Sequence, residues 1–392
     1  MLYLLFKLAQ QIQRIYSVCG RLCIRNFLAV KLNLFRVVFA SATCLAFSAG
    51  AQTAYWNGPN TSPVGSPAGG TGNWNSTRLN WTNSSGSSSF AWPTGSIAIF
   101  SGSSGTATLQ EVLSVGGFEF QTSGYLLSSD DYVNHYLNLS KDANLITPSG
   151  GTATIELRIF GSYGLTFSGG TAILTRGNGY TGPTYISSGK LQLGNGGGTG
   201  NLDFTSSITV DSGAIFSFYH NNDTENYAMP IKGQGEVRNE GNSNITLSGQ
   251  NLYTGPTNVL AGTFTAGSSN GAFGVNSAVN IAGSATLALN GYNAAIGSLT
   301  GTGSVTGPGT FTVGGDGTSK VFGGVIGGAT AVVKTGAGTQ TLSGSNTYTG
   351  ATTISAGALL AAIFLHSAWS ITRQALEEVR GVRRGEPSGR WA

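Results

Sequence analysis

The sequence predicts an all-β protein, a right-handed parallel β-helix (β-solenoid) built from Gly/Thr/Asn-rich repeats, on three observations. Glycine occurs 61 times in 392 residues while charged residues make up only 9%, about twice and about a third of their usual shares. Hydrophobic residues still reach 40%, so the chain has apolar surface to bury, unlike a disordered low-complexity tract. The apolar residues fall in short runs that alternate with polar ones, as in Gly309-Thr-Phe-Thr-Val313 and Thr339-Gln-Thr-Leu342, and Gly or Asn cuts each run short. That is the pattern of brief strands and frequent turns.

The third observation is repetition. Residues 175–194, 247–267 and 342–362 align with one another. Each carries Tyr-Thr-Gly, at Tyr180-Thr181-Gly182, Tyr253-Thr254-Gly255 and Tyr348-Thr349-Gly350, and each has a glycine nine residues beyond its tyrosine. Residues 207–218 match 278–289, and 231–237 match 299–305. The period is roughly 70 residues, lengthened before the last copy. Stacked coils would turn such units into one continuous core. Glycine permits positive φ at the corners, and Thr, Ser and Asn can satisfy turn backbone groups. Low charge suits coils about 4.8 Å apart, where like charges would repel. A tandem of β-sandwiches is the competing arrangement, but its strands would be longer and more even.

Four segments are expected along the chain. Residues 1–51 read as leader and signal peptide, with Lys31 and Arg36 as the basic region, apolar residues 37–47, and a small-x-small cleavage site at Ala49 and Ala51 before Gln52. The apolar stretch is too short to span a bilayer. Because residues 1–29 precede an already complete signal, translation is expected to start near Val30; the alternative is a genuine long n-region, as in some large exported proteins. Residues 52–110 form a Trp-rich N-terminal cap and first coils, and 111–362 the β-helix repeats. Residues 363–392 abandon the Gly/Thr/Asn grammar. Their basic tail reads first as a frameshifted or truncated continuation, with a small capping helix, for which Ala375-Leu-Glu-Glu-Val-Arg380 is suited, or an anchor remnant as the alternatives.

Charge and cysteine exclude several functions. Residues 52–362 hold nine basic and thirteen acidic side chains, a net charge of −4, with no basic stripe to neutralise phosphates, so no nucleic-acid partner is expected. Cys19, Cys23 and Cys44 all lie in the leader and form no metal-binding pattern. A body without cysteine suits an exported protein that folds without an oxidant.

The copy at 334–357, Lys334-Thr-Gly-Ala-Gly-Thr-Gln-Thr-Leu-Ser-Gly-Ser-Asn-Thr-Tyr-Thr-Gly-Ala-Thr-Thr-Ile-Ser-Ala-Gly357, resembles the autotransporter-associated β-strand repeat family, also called passenger-associated transport repeats. The segment with Trp56, Trp74, Trp81 and Trp92 resembles the opening of such proteins. The resemblance covers roughly residues 55–362. It implies a β-helical passenger carried to the surface of a Gram-negative-type bacterium or released from it, and supplies no catalytic residues. In full-length autotransporters a membrane β-barrel follows the passenger. The sequence departs from that pattern, because the residues after Ala362 lack the alternating strands of roughly ten residues that a barrel needs.

Candidate sites are few. His135 and His220 are the only histidines of residues 52–362. Asp223 and Glu225 could help His220 hold a cation, but a loop bulging from the solenoid explains the same residues, so no metal ligand is assigned. Asp130 and Asp131 are adjacent carboxylates of the kind used in acid–base pairs. Lys141 and Arg158, however, have no repeat-matched acidic neighbour. No Ser/His/Asp set suggests itself, and Gly301-Thr-Gly303 lacks the helix of a phosphate loop. Trp56, Trp74, Trp81 and Trp92 are expected to plug the first coil; exposed, they would stack on sugars. The repeated tyrosines are structural first, although an exposed row would make a multivalent face.

The expected function is therefore an exported, non-enzymatic surface or secreted repeat protein, adhesive or structural, with no catalytic centre and no cofactor. Its partner would be a surface, glycan or matrix ligand. No transmembrane span is expected in the mature chain, and the sequence does not encode a legible oligomeric state. The alternative is a carbohydrate-binding or polysaccharide-cleaving β-helix.

Overall fold

The computed structural model describes residues 52–363 except Gly198. The expected leader with Ala49 and Ala51, and the tail from 364, lie outside the described residues. All the regular structure described is β, wound into a solenoid of about 13 turns. No helix among the described residues is long and apolar enough to cross a membrane.

One sheet of 14 strands runs the length of the solenoid, from Gly72–Trp74 to Ala358–Ile363. Its neighbours are parallel, and each strand lies about one coil from the next. Val237 pairs with Thr257 and Val279 with Leu299, twenty residues on in each case. The coil is therefore about twenty residues, and the longer sequence period spans several coils. The other faces are shorter parallel sheets of 10, 4, 6 and 4 strands. The 10-stranded sheet departs from the parallel rule at its N-terminal edge. There Thr53–Trp56 pairs antiparallel with Trp81–Thr82, which pairs antiparallel with Ser89–Phe90.

Period-two alternation sends one side chain in two into the core. In the long sheet, Leu127, Ile155, Leu174, Leu193 and Phe218 stand in register from coil to coil. Val259, Ile281, Phe322 and Leu342 extend the same row beyond Asn239, with Gly301 standing between Ile281 and Phe322. All these side chains are buried in one hydrophobic cluster except the amide of Asn239, which accepts from Gly241 N. Stacking at about 4.8 Å puts side chains of adjacent coils in contact along the row wherever it is not interrupted by Asn239 or Gly301.

Polar groups inside the solenoid need partners. Lys334 is fully buried, and its ammonium donates to the carbonyls of Thr335, Gly336 and Ala356 across a corner. Burial pushes its pKa down, partly offset by the charge of Asp316. Outside, Lys190 bridges two coils to Glu240, and Arg238 pairs with Glu236 and Glu240.

Candidate functional site

Three places on the solenoid concentrate polar or aromatic groups: the repeat signature, the N-terminal cap, and the coil around His220. The signature proves to be a corner. Asn178, Asn251 and Asn346 stand two residues before the three tyrosines, and their Oδ1 atoms accept from the backbone N–H of Ile159, Ile231 and Ile326 one coil earlier, at 3.1, 2.8 and 2.9 Å. The tyrosine turns inward. Its hydroxyl meets the threonine four residues on, in the pairs Tyr180–Thr184, Tyr253–Thr257 and Tyr348–Thr352, at 2.7, 2.7 and 2.8 Å.

The hydroxyl chain continues to the next coil. Thr257 Oγ1 lies 2.7 Å from Ser277 Oγ, which donates to Gly255 O at 2.7 Å. Thr184, Thr205 and Gly182 repeat that arrangement. The Ser277 proton is used on the carbonyl, so Thr257 donates to Ser277 and Tyr253 donates to Thr257. Burial pushes the phenols of Tyr180 and Tyr253 well above their usual pKa. Tyr180 and Tyr253 are buried and Tyr348 half-buried, which corrects the idea of an exposed tyrosine row. Thr181, Thr254 and Thr349 face outward while their N–H groups donate to Gly161, Gly233 and Gly328.

The signature glycines serve close approach and not the positive φ expected at corners. A Cβ on Gly255 would sit 2.0 Å from Gly235 O, and one on Gly182 would sit 2.2 Å from Tyr163 C. Positive φ belongs instead to the glycine nine residues beyond the tyrosine, at 59° for Gly262.

The four tryptophans converge beneath the first coils. Trp81 lies 5.1 Å from Trp56, 5.0 Å from Trp74 and 4.6 Å from Trp92 between ring centroids, and Phe100 packs against the first three. Trp56 Nε1 donates to Gly70 O and Trp92 Nε1 to Ser114 O. All four rings are buried, so none presents an exposed face to a sugar, and the glycan-contact reading at these positions has no support in the structure. Gln52, beside the expected cleavage point, is exposed, and its carbonyl accepts from Ile97 N.

The third place differs. Phe216 and Phe218 point into the core, and His220 continues their alternation, so its ring is fully buried. This corrects the expectation of a loop bulging outward at this histidine. The chain turns at Asn222, φ 58°, and returns along Thr224–Tyr227. The Nδ1, Nε2 or carboxylate atoms of His220, Asp223 and Glu225 lie within 4.8 Å of one another, with His220 Nδ1 3.8 Å from Asp223 Oδ2. No hydrogen bond of good distance and angle forms at either ring nitrogen, nor at Asp223 Oδ2, Tyr227 Oη or Asn201 Oδ1, although the Asp223 carboxylate and the backbone of Gly200 and Leu193 lie near enough to act on the ring. Burial lowers the His220 pKa, so the imidazole is neutral at pH 7, and the nearby charge of Asp223 opposes this. Burial and the charges of Asp223 and Asp203 push Glu225 up to about 6.

The remaining candidates do not assemble. His135 pairs with Asp130 at 2.6 Å on the surface. Asp131 instead caps its own turn through Val133, Asn134 and the Asn134 amide, which holds its carboxyl below the usual range. Arg158 lies over the Phe160 ring at 4.8 Å.

Comparison with known proteins places the repeats. The family model of the passenger-associated-transport-repeat matches residues 165–193, 240–266 and 332–361, and each match contains one Asn-x-Tyr-Thr-Gly-x-Thr corner. Over 170 residues, 42% of this chain, the sequence is 34% identical to the adhesin BmaC autotransporter of Brucella suis biovar 1. The aligned part is 5% of that protein's length. No solved structure matches. The chain thus carries three passenger-associated transport repeats, and the residues that recur in them are the ones that lock the corners of the solenoid.

Proposed function

We propose that this chain is an exported, non-enzymatic β-helical passenger that acts as an adhesive or structural element at the cell surface or after release. The observation that carries the reading is that the three passenger repeats lie on one unbroken solenoid, with their recurring polar side chains spent on the corners. The likeness to an adhesin supports the adhesive form. The outward rows are mostly uncharged, as in Thr166, Tyr185 and Thr209 in register on the 10-stranded sheet, and such a face suits repeated weak contacts with a surface, glycan or matrix ligand.

The proposed organisation is a leader and signal peptide over 1–51, cleaved between Ala51 and Gln52. A tryptophan cap and first coils over 52–110, repeats over 111–362 and an atypical tail over 363–392 follow. Beads coated with the purified protein test the function on cultured epithelial layers and immobilised matrix glycoproteins. Saturable attachment, competed by soluble protein, is the expected result. Failure to attach, with new reducing or unsaturated ends released from polysaccharide, would instead favour the carbohydrate-cleaving alternative.

A further inference from the structure

We propose that His220, Asp223 and Glu225 form a binding site for one divalent transition-metal cation of the Zn2+/Mn2+ class. The proposal is independent of what the outer faces of the solenoid bind. It starts from an anomaly of burial. Most buried polar groups in native proteins have partners, and each one left alone costs about 1–3 kcal/mol; single cases such as Trp74 Nε1 and Trp81 Nε1 are scattered elsewhere in the solenoid. Here five such atoms gather on two neighbouring coils: both nitrogens of His220, Asp223 Oδ2 and Tyr227 Oη, with Asn201 Oδ1 from the coil before. The imidazole is fully enclosed and turns Nδ1 toward Asp223.

Charge gives the second observation. Asp203, Asp223 and Glu225 all act on this coil, yet among the described residues no Lys or Arg pairs with any of them. A cation is the missing counter-charge. An imidazole among the donors favours Zn2+ and its neighbours over Ca2+ or Mg2+, which take oxygen ligands. Bonds of about 2.0–2.2 Å would bring the donors to about 3–3.5 Å apart. Asp223 and Glu225, both only partly buried beside the turn at Asn222, can close that distance by side-chain rotation. Tyr227 and Asn201 then stand where they can hold a ligating carboxylate or a bound water.

The cluster is also outside the repeat. Residues 207–218 match 278–289, but where the first copy continues Tyr219-His220-Asn221 the second reads Asn290-Gly291-Tyr292. Stacking therefore does not require a histidine at this position.

The test uses the full chain, stripped with EDTA and with its cysteines alkylated, since Cys19, Cys23 and Cys44 would otherwise bind the same metals. Calorimetric titration with ZnCl2, MnCl2 and CaCl2 is paired with visible spectra on addition of CoCl2. Wild type is expected to take up one Zn2+ or Mn2+ and to give a Co2+ ligand-field band. Asp223→Asn and Glu225→Gln change little of the core and should each weaken binding at least about tenfold, while Tyr253→Phe binds as wild type. His220→Gln should abolish the Co2+ band. Absence of Zn2+ and Mn2+ binding, binding undiminished in both carboxylate variants, or tighter binding of Ca2+ than of either would each overturn the proposal.

Discussion

The corner at Asn251–Thr257 and the coil at 219–227 both bury polar side chains in an apolar solenoid, and they handle them in opposite ways. At the corner every such group is used. Asn251 accepts from Ile231 N and donates to Ala272 O, and Tyr253, Thr257 and Ser277 pass hydroxyl protons in one direction to Gly255 O. In the other coil, His220 and Tyr227 are as deeply buried and make no hydrogen bond through their ring nitrogens or hydroxyl. A polar group that recurs with the repeat is part of the winding. One that occurs once, lacks a partner and stands beside two carboxylates calls for a cation from outside the chain.

Substitutions break or sharpen that contrast. The largest effect is expected at Gly255→Val, because a Cβ there meets Gly235 O at 2.0 Å and the coils must separate. A loss above about 4 kcal/mol in denaturant unfolding is predicted, in the range of backbone strain and overpacking. Thr257→Val strands the Tyr253 hydroxyl and removes the donor to Ser277, and should cost about 2–3 kcal/mol. His220→Phe goes the other way. It extends the Phe216–Phe218 row and removes an unpartnered buried ring, so the metal-free protein should gain about 1 kcal/mol. If His220→Phe instead destabilises metal-free protein as Thr257→Val does, the two regions are alike and the contrast fails.

The smallest expected effect is a slope in pH. Tyr125, buried, has its hydroxyl 2.6 Å from the carbonyl oxygens of Ser101 and Ser103, and burial raises its pKa from 10.0 to about 12. The folded state therefore holds this proton more tightly than the unfolded chain. Its contribution is complete below pH 10 and is lost as pH rises toward 12. Tyr125→Phe should flatten the fall in stability over that window, read as midpoint against pH.

Much of the winding was legible from residues such as Thr339-Gln-Thr-Leu342, because period-two alternation and glycine turns leave few other ways to bury the apolar half. The coil length was not. Any Leu, Ile, Val or Phe fills an inward position, so successive coils share no strict sequence and only the corner motif repeats visibly, several coils apart. Asn178, Asn251 and Asn346, with Thr184, Thr257 and Thr352, lay inside the aligned segments, and their fixed offsets from Tyr were the available signal. The phase of Phe216, Phe218 and His220 at alternate positions was likewise an available signal that the histidine points inward, but the polar run after Tyr219 reads as a bulging loop and hides it. The unpartnered state of its nitrogens was not legible, since it depends on what the neighbouring coils bring near.

Amide hydrogen exchange on the full chain, with EDTA and then with Zn2+, measures the contrast directly. Residues 178–184 and 251–257 should be equally protected in both conditions. Residues 219–227 should exchange faster with EDTA and slow by about tenfold or more when Zn2+ is added, as expected for binding that stabilises the closed state. Equal protection of 219–227 and of the corners in EDTA, unchanged by Zn2+, would contradict the account.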